Sequence, residues 1–218
     1  MRDYTRPADI ERESMAIIAR ELAARGEMPP EDAAAVVMRV IHTTADFDYA
    51  KALYLTDGAV SRGVAALRGA LIVTDTNMAL AGVSKSALRA LGGEAVCYMA
   101  DADVAAEAKA RGVTRAAVSM ERALREYPHA VFAVGNAPTA LLALADAIEA
   151  GARPALVVGV PVGFVNVVES KERAKAVCEA CGVPAILAMG RKGGSTVAAA
   201  ICNALLYTAT GRLDPGSR

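Results

Sequence analysis

Five short apolar runs recur between residues 69 and 210, and each is followed by polar or glycine-rich residues and then by helical periodicity. The runs are ALIVT at 70–74, AVCYM at 95–99, VFAV at 131–134, ALVV at 155–158 and AILAM at 185–189. Runs this short and this uninterrupted suit strands covered on both faces, joined by crossover helices. The order of elements predicts an α/β fold: three layers, α/β/α, around a mostly parallel sheet of about five strands. The trailing loops are Asp75-Thr76-Asn77, Asp101, Gly135-Asn136, Gly159 to Gly163, and Gly190 to Ser195. In a parallel sheet they share one edge, and ligands bind at that edge in open α/β folds.

Residues 154–173 show the device most clearly. The run Ala155 to Val158 is closed by Gly159, and Val160-Pro161-Val162-Gly163 makes a loop of largely bare backbone. From about Asn166 the period becomes helical. Val167, Ser170, Ala174, Val177, Cys178 and Cys181 then share one side of a helix that stops at Gly182. Such a loop is an ordinary βα connection or, equally in form, an anion seat at a helix start.

Residues 1–68 read as a helical segment preceding the core. Asp9 is a candidate cap for a helix with the stripe Ile10, Ile17, Ile18 and Leu22. Ser14 falls on that stripe, where its hydroxyl either bonds back one turn or meets a ligand. After Pro29-Pro30, Glu31 opens a second helix that buries Ala33, Val36, Val37, Val40 and Ile41. Arg39 and His42 project from neighbouring points on it, and it breaks at Thr43-Thr44-Ala45-Asp46. The end of the chain, 211–218, reads as a flexible tail.

Composition removes several functions. Cationic and anionic side chains balance at 24 each, which argues against a general nucleic-acid or membrane binder. The longest apolar run, Ala155 to Val168, is broken by glycine, proline and asparagine and is too short to span a bilayer. MRDYTRPADIERES has no signal-peptide core, so a cytoplasmic protein is expected. Apolar residues at 54% exceed what one sheet core needs, which points to a partner subunit. Cys178-x-x-Cys181 lies at a helix end, where the dipole disfavours a thiolate, and has no second pair nearby. Buried thiols are expected there, not a redox or metal site.

Three groups carry possible chemistry. In GNAPT at 135–139, Asn136 is placed to cap a helix that has Pro138 in its first turn, a role compatible with ligand contact. GRKGGS at 190–195 departs from the Walker pattern, because Lys192 precedes the glycine pair. It is either an anion-binding loop suited to carboxylates or phosphates, or a solvated surface loop. His42, near a helix C-terminus, is expected to have a raised pKa and to suit proton donation. Arg39 opposes that rise and offers a carboxylate anchor. His129 reads as structural.

IHTTADF at 41–47, TR at 114–115, GNAPTAL at 135–141, PVGFV at 161–165, ESK at 169–171 and GRKGGS at 190–195 occur in that order. In these motifs the chain resembles the precorrin-8X and cobalt-precorrin-8 methylmutases of vitamin B12 biosynthesis, from IERES at 10–14 to about residue 206. The resemblance implies one methylmutase domain over 1–210 and a homodimeric isomerase. The enzyme would move a methyl group from C-11 to C-12 of a corrin precursor, giving hydrogenobyrinic or cobyrinic acid, with no cofactor and no metal ligands. By the match, His42 is the acid that protonates the macrocycle, and Ser14, Arg39 and Arg115 contact substrate. Gly135, Asn136, Gly163, Arg191, Lys192, Gly193 and Gly194 lie in the loops that line the pocket.

That substrate is a large disc with an apolar face and a carboxylate rim. Arg39, Arg115, Lys171, Arg191 and Lys192 are candidate rim partners. Lys171 is the weakest of them, since a solvated helix residue paired only with Glu169 or Glu172 is the alternative. Aromatics are only 4% with no Trp, so aliphatic contact is expected over stacking. Two other readings remain: a nucleotide- or flavin-binding α/β enzyme using the same strand ends, and a non-catalytic tetrapyrrole carrier.

Overall fold

The computed structural model describes residues 7–211, with side chains from residue 9. Most of the expected tail, 212–218, lies outside the described residues. The chain opens with helices α1 (Pro7–Arg25) and α2 (Glu31–Thr44). α1 starts at Pro7, so Asp9 sits in its first turn, where a carboxylate meets the positive helix end, and is not the cap. Of the predicted stripe, Ile18 and Leu22 are buried, whereas Ile10 and Ile17 remain exposed. α2 buries the five predicted residues. It ends in a left-handed Ala45 (φ 53°), whose N–H returns to the Ile41 carbonyl.

The first departure from expectation follows. After the single turn α3 (Tyr49–Ala52) comes a strand, β1 (Leu53–Leu55), and then α4 (Ala59–Ala66). The segment before residue 69 is therefore not wholly helical. β1 runs antiparallel to the last strand and makes the sheet six-stranded.

The core then alternates as expected. β2 (Leu71–Thr74) leads to α5 (Asn77–Gly82) and α6 (Lys85–Ala90), and β3 (Glu94–Val96) to a 3₁₀ turn, α7 (Ala102–Arg111) and α8 (Arg115–Glu126). β4 (Val131–Val134), α9 (Pro138–Glu149), β5 (Leu156–Gly159), α10 (Val167–Cys181), β6 (Ala185–Ala188) and α11 (Ser195–Ala209) complete it. β3 is shorter than AVCYM suggested, because Tyr98–Ala100 coils into the 3₁₀ turn. Gly159 belongs to β5 and does not close it. A β-carbon there would come within 2.6 Å of Leu187 Cδ2, so the residue is small to let α9 and β6 pack.

The strand order is β1-β6-β5-β4-β2-β3, parallel except for β1. Alternate side chains divide between two layers, as a pleated sheet requires. Ile72, Val131, Ala133, Leu156, Val158 and Ile186 join α1, α2, α4 and α11 on one face. Val73, Phe132, Val134, Val157 and Leu187 join α8, α9 and α10 on the other. The chain moves outward from β2 to β3 and returns past β2 to β4. The topological switch point, where such sheets open a crevice, therefore lies between β2 and β4.

Candidate active site

At the switch point the crevice is filled by the protein itself. Asp75, directly after β2, is fully buried. Its carboxylate accepts the N–H groups of Gly135 (2.8 Å), Asn136 (2.8 Å) and Ala137 (2.7 Å). Burial pushes its pKa up, and those three amide bonds pull it partly back. Asp75 thus holds the loop that leads into α9 from across the sheet, and α9 itself has no side-chain cap. Asn136, the expected cap, makes no cap bond and is exposed at the strand tip, with Ala137 as the capping residue. Gly135 is small of necessity, since a β-carbon would lie 2.6 Å from Ser195 Cα.

The loops after β5 and β6 form one unit. Gly194 N–H donates to the Val160 carbonyl (2.9 Å) and Gly163 N–H to the Arg191 carbonyl (3.3 Å). A β-carbon on Gly193 would lie 2.1 Å from the Val160 oxygen, an approach only glycine permits. Thr76 and Ser195 share a hydrogen bond of 2.8 Å, which ties the β2 loop to the start of α11. Beneath this unit is Lys171. It is fully buried in α10, and its ammonium donates to the carbonyls of Gly190 and Lys192 at 2.8 Å each. Loss of hydration lowers its pKa to about 8. The solvated-helix reading of Lys171 is therefore wrong. The signal was present, because Lys171 lies four residues after Val167 and three before Ala174, on the buried stripe itself.

β1 carries the N-terminal segment to the same edge. Leu53 pairs with Ala188, and Met189 N–H donates to the Ala52 carbonyl (2.7 Å). The turn between α2 and α3 consequently reaches the tip of β6. There Lys192 forms ion pairs with Asp46 (2.7 Å) and Asp48 (2.6 Å). Both carboxylates follow His42 within six residues. His42 stands in the last turn of α2 with an exposed imidazole. Its pKa is lowered, not raised as the helix dipole suggested. Loss of hydration contributes most and the Arg39 charge next, with Glu11 pulling weakly the other way.

The other predicted contacts fall unevenly. Arg39 is paired with Glu11 (2.6 Å) and lies 5.1 Å from the centre of the Tyr207 ring. It borders a cleft of about 250 Å³ with Thr43, Thr196, Asn203 and Tyr207. Ser14 bonds back to the Ile10 carbonyl (2.8 Å), the plainer of its two readings. Arg115 is exposed at the start of α8. The neighbouring Thr114 hydroxyl bonds Thr139 of α9 (2.8 Å), which sets this end of α8 beside the Gly135 loop. Arg191 is exposed and lies 5.5 Å from the Phe164 ring centre. Phe164 and Val165 are 83% and 78% exposed, an apolar surface next to a cation. Cys178 is a buried free thiol with its pKa pushed up to about 12, and Cys181 is a partly buried free one. His129 takes a structural bond with the Arg153 carbonyl. Among the described residues no helix is long and apolar enough to cross a membrane.

The edge thus combines apolar side chains, exposed arginines and an imidazole, with loop backbone held rigidly from below. Among the described residues it has no nucleophile hydrogen-bonded to a base, and exposed arginines beside apolar side chains suit a polyanionic, partly apolar molecule.

Comparison with known proteins bears on what that molecule is. The profile of the family described as CbiC, precorrin-8X methylmutase, matches residues 9–208. The chain is 42% identical to the cobalt-precorrin-8 methylmutase of Priestia megaterium, over 91% of this chain and 87% of that protein. It is also 42% identical to the precorrin-8X methylmutase of Pseudomonas aeruginosa, over 94% and 98% respectively. Its fold is similar to the crystal structure of the precorrin-8X methylmutase from Thermus thermophilus. The TM-score is 0.81 at 41% identity, covering 93% of this chain and 98% of that one.

Proposed function

The chain belongs to the precorrin-8X methylmutase family, a family of isomerases in cobalamin biosynthesis, and from that premise we propose how its strand-tip edge performs the reaction. The substrate is precorrin-8X or its cobalt form, seated as a disc over the glycine-lined loops. His42 gives a proton to the macrocycle, the conjugated system becomes electron-poor, and the methyl group at C-11 migrates to C-12. No atoms are gained or lost, and the proton returns to the imidazole. Arg39, Arg115 and Arg191 meet carboxylates of the rim, Ser14 turns toward the substrate, and Asn136 and Gly163 line the pocket.

The observation that carries this reading is the meeting of three features at one edge. These are the His42 turn, delivered by β1 and latched by Lys192; the apolar Phe164–Val165 surface beside Arg191; and the rigid loops beneath. The lowered pKa of His42 is compatible with proton donation. A free imidazole below its usual value is a stronger acid once protonated, and nearby substrate carboxylates favour the protonated form. The nucleotide or flavin reading loses support at the switch point, because Asp75 already occupies the amides a phosphate would need. Apolar side chains left uncovered, Ile10 and Ile17 of α1 with Phe164 and Val165, support a homodimer.

The test is His42→Ala, assayed with metal-free and cobalt-loaded precursor by visible spectrum. Conversion is expected to fall by about 10²–10⁴-fold, the usual share of a general acid. Binding of hydrogenobyrinic acid should persist. Turnover at the wild-type rate would remove His42 from the chemistry, and a carrier protein would bind without ever converting.

A further inference from the structure

The strand-tip edge contains one charged side chain that neither the proton transfer nor the rim contacts use. Lys171 is sealed beneath the loop, and among the described residues it has no carboxylate partner. An ammonium buried without a counter-ion is expensive in free energy, and its lowered pKa reflects that cost. A residue needed only to fill this space would do so at lower cost as methionine. What the ammonium supplies is direction. It takes the carbonyls of Gly190 and Lys192, and Gly163 N–H takes the carbonyl of Arg191 between them. Three successive carbonyls are thus engaged, two by the buried ammonium and one by the neighbouring loop.

The consequence for the loop is a fixed polarity. Among the described residues, the N–H groups of Arg191, Lys192 and Gly193 donate to no acceptor. α11 likewise begins at Ser195 without a side-chain cap. With its acceptors taken, the 190–193 backbone is left with donors, and Arg191 is the exposed residue between the two clamped carbonyls. Such a surface is complementary to a carboxylate. We infer that Lys171 is a positioning residue of the site: it holds the 190–193 loop in the donor-presenting form that receives a carboxylate of the corrin rim, with Arg191 as the side-chain half of that contact. This inference rests on the methylmutase reading for the identity of the ligand, whereas the clamp itself rests on Lys171 alone.

The test compares Lys171→Met, Lys171→Gln and Lys171→Arg with the wild type by two readouts. The first is steady-state kinetics on the precursor together with titration by hydrogenobyrinic acid. Lys171→Met is expected to raise KM and weaken product binding by about tenfold, the value of one charge-assisted contact, with kcat within about threefold. Adding Arg191→Ala should then cost little more than either change alone. Lys171→Arg, which restores a buried donor, should recover part of the affinity. The second readout needs no substrate: amide hydrogen exchange of Gly194, whose N–H is held on Val160, should quicken about tenfold in Lys171→Met, while β4 and β5 keep their protection.

Folded Lys171→Met protein with unchanged exchange and unchanged KM would overturn the inference. So would a loss confined to kcat, or the failure of both the Met and Gln variants to fold, which would make Lys171 a determinant of the whole fold. If the wild type neither converts precursor nor binds product, the methylmutase reading has failed, and the exchange comparison alone decides the clamp.

Discussion

The loop after β4 is held by a buried carboxylate and the loop after β6 by a buried ammonium, and the two devices leave opposite surfaces behind. Asp75 draws in the amides of residues 135–137, so that stretch faces outward with the free side chain of Asn136 and with its three backbone amides engaged. Lys171 draws in the carbonyls of residues 190 and 192, so that loop faces outward with amides. Among the described residues, one edge of one sheet therefore has a loop whose backbone amides are engaged and a loop whose amides are free. The difference teaches that a helix start after a parallel strand is not an anion site by position. What lies beneath it decides.

The comparison breaks most visibly at Asp75. Asp75→Ala strips three amides of their charged acceptor, and one of them, Gly135 N–H, is fully enclosed. Leaving buried donors unsatisfied costs about 1–3 kcal/mol each. Partial access of water to the outer two limits the total to about 4 kcal/mol. Urea unfolding should report that loss, with Asp75→Asn, which keeps one acceptor oxygen, losing about half. An Asp75→Ala protein as stable as the wild type would show that the carboxylate does not hold the loop.

Next in size is Gly193→Ala, which tests whether the loop with free amides is as rigid as the one with engaged amides. The added carbon would meet the Val160 oxygen at 2.1 Å, and backbone cannot retreat as a side chain can. A cost of about 3 kcal/mol is expected from overpacking. Gly190→Ala is the control. It also has positive φ (75°) but nothing within 4 Å of the added carbon, so only backbone strain of about 1 kcal/mol applies. Equal costs for the two would mean that strain and not close approach fixes the loop.

Much of this fold was legible because burial on both faces leaves uninterrupted apolar runs, and β4, β5 and β6 lie within a residue of where those runs predict them. β1 was not. LYL is three residues long and only half-buried, too short for a period to register, yet it brings the His42 turn to the edge. Asp75 was visible as a polar residue after a strand, but its role depends on β2 lying beside β4, and strand order is not written in local pattern. Lys171 was misread because its neighbours Glu169, Glu172 and Arg173 suggest a wet face; its spacing from Val167 and Ala174 carried the better signal. For His42 the sequence points to a raised pKa at a helix end, whereas lost hydration and the Arg39 charge lower it.

The two buried charges should also separate in their response to pH. Asp75 has a folded pKa above its unfolded value, so the folded state binds the extra proton, and stability falls as pH rises through that window. Lys171 is the reverse. Its folded pKa of about 8 lies below the unfolded value of 10.5, so the unfolded chain binds the extra proton between them. Stability then rises with pH across that interval, by about 2 kcal/mol once residual screening is allowed for. Because other side chains of the unfolded chain titrate over the same interval, the measurement is the difference between wild type and Lys171→Met in urea unfolding at both ends of the interval. A difference that does not change with pH would mean that the ammonium is not desolvated as its burial indicates.

The smallest expected effect concerns the outer face of the 190–193 loop. Lys192 is the cation a motif reading places on the substrate, yet here both Asp46 and Asp48 hold it, and its pKa is raised by those bonds. All three side chains are substantially exposed, and exposed pairs contribute little to folding. Lys192→Ala should therefore leave the unfolding midpoint where it is, in contrast to every change beneath the loop. Its effect on product affinity tells what the pair is for. If Lys192 exchanges Asp46 and Asp48 for a rim carboxylate, the swap trades one screened pair for another, and affinity weakens only a few-fold at low salt and not at all at high salt. If the pair is a latch that keeps the His42 turn against β6, kcat falls while affinity holds, and salt in the wild type reproduces the mutant. The two outcomes assign Lys192 either to the substrate seat or to the segment that carries the acid.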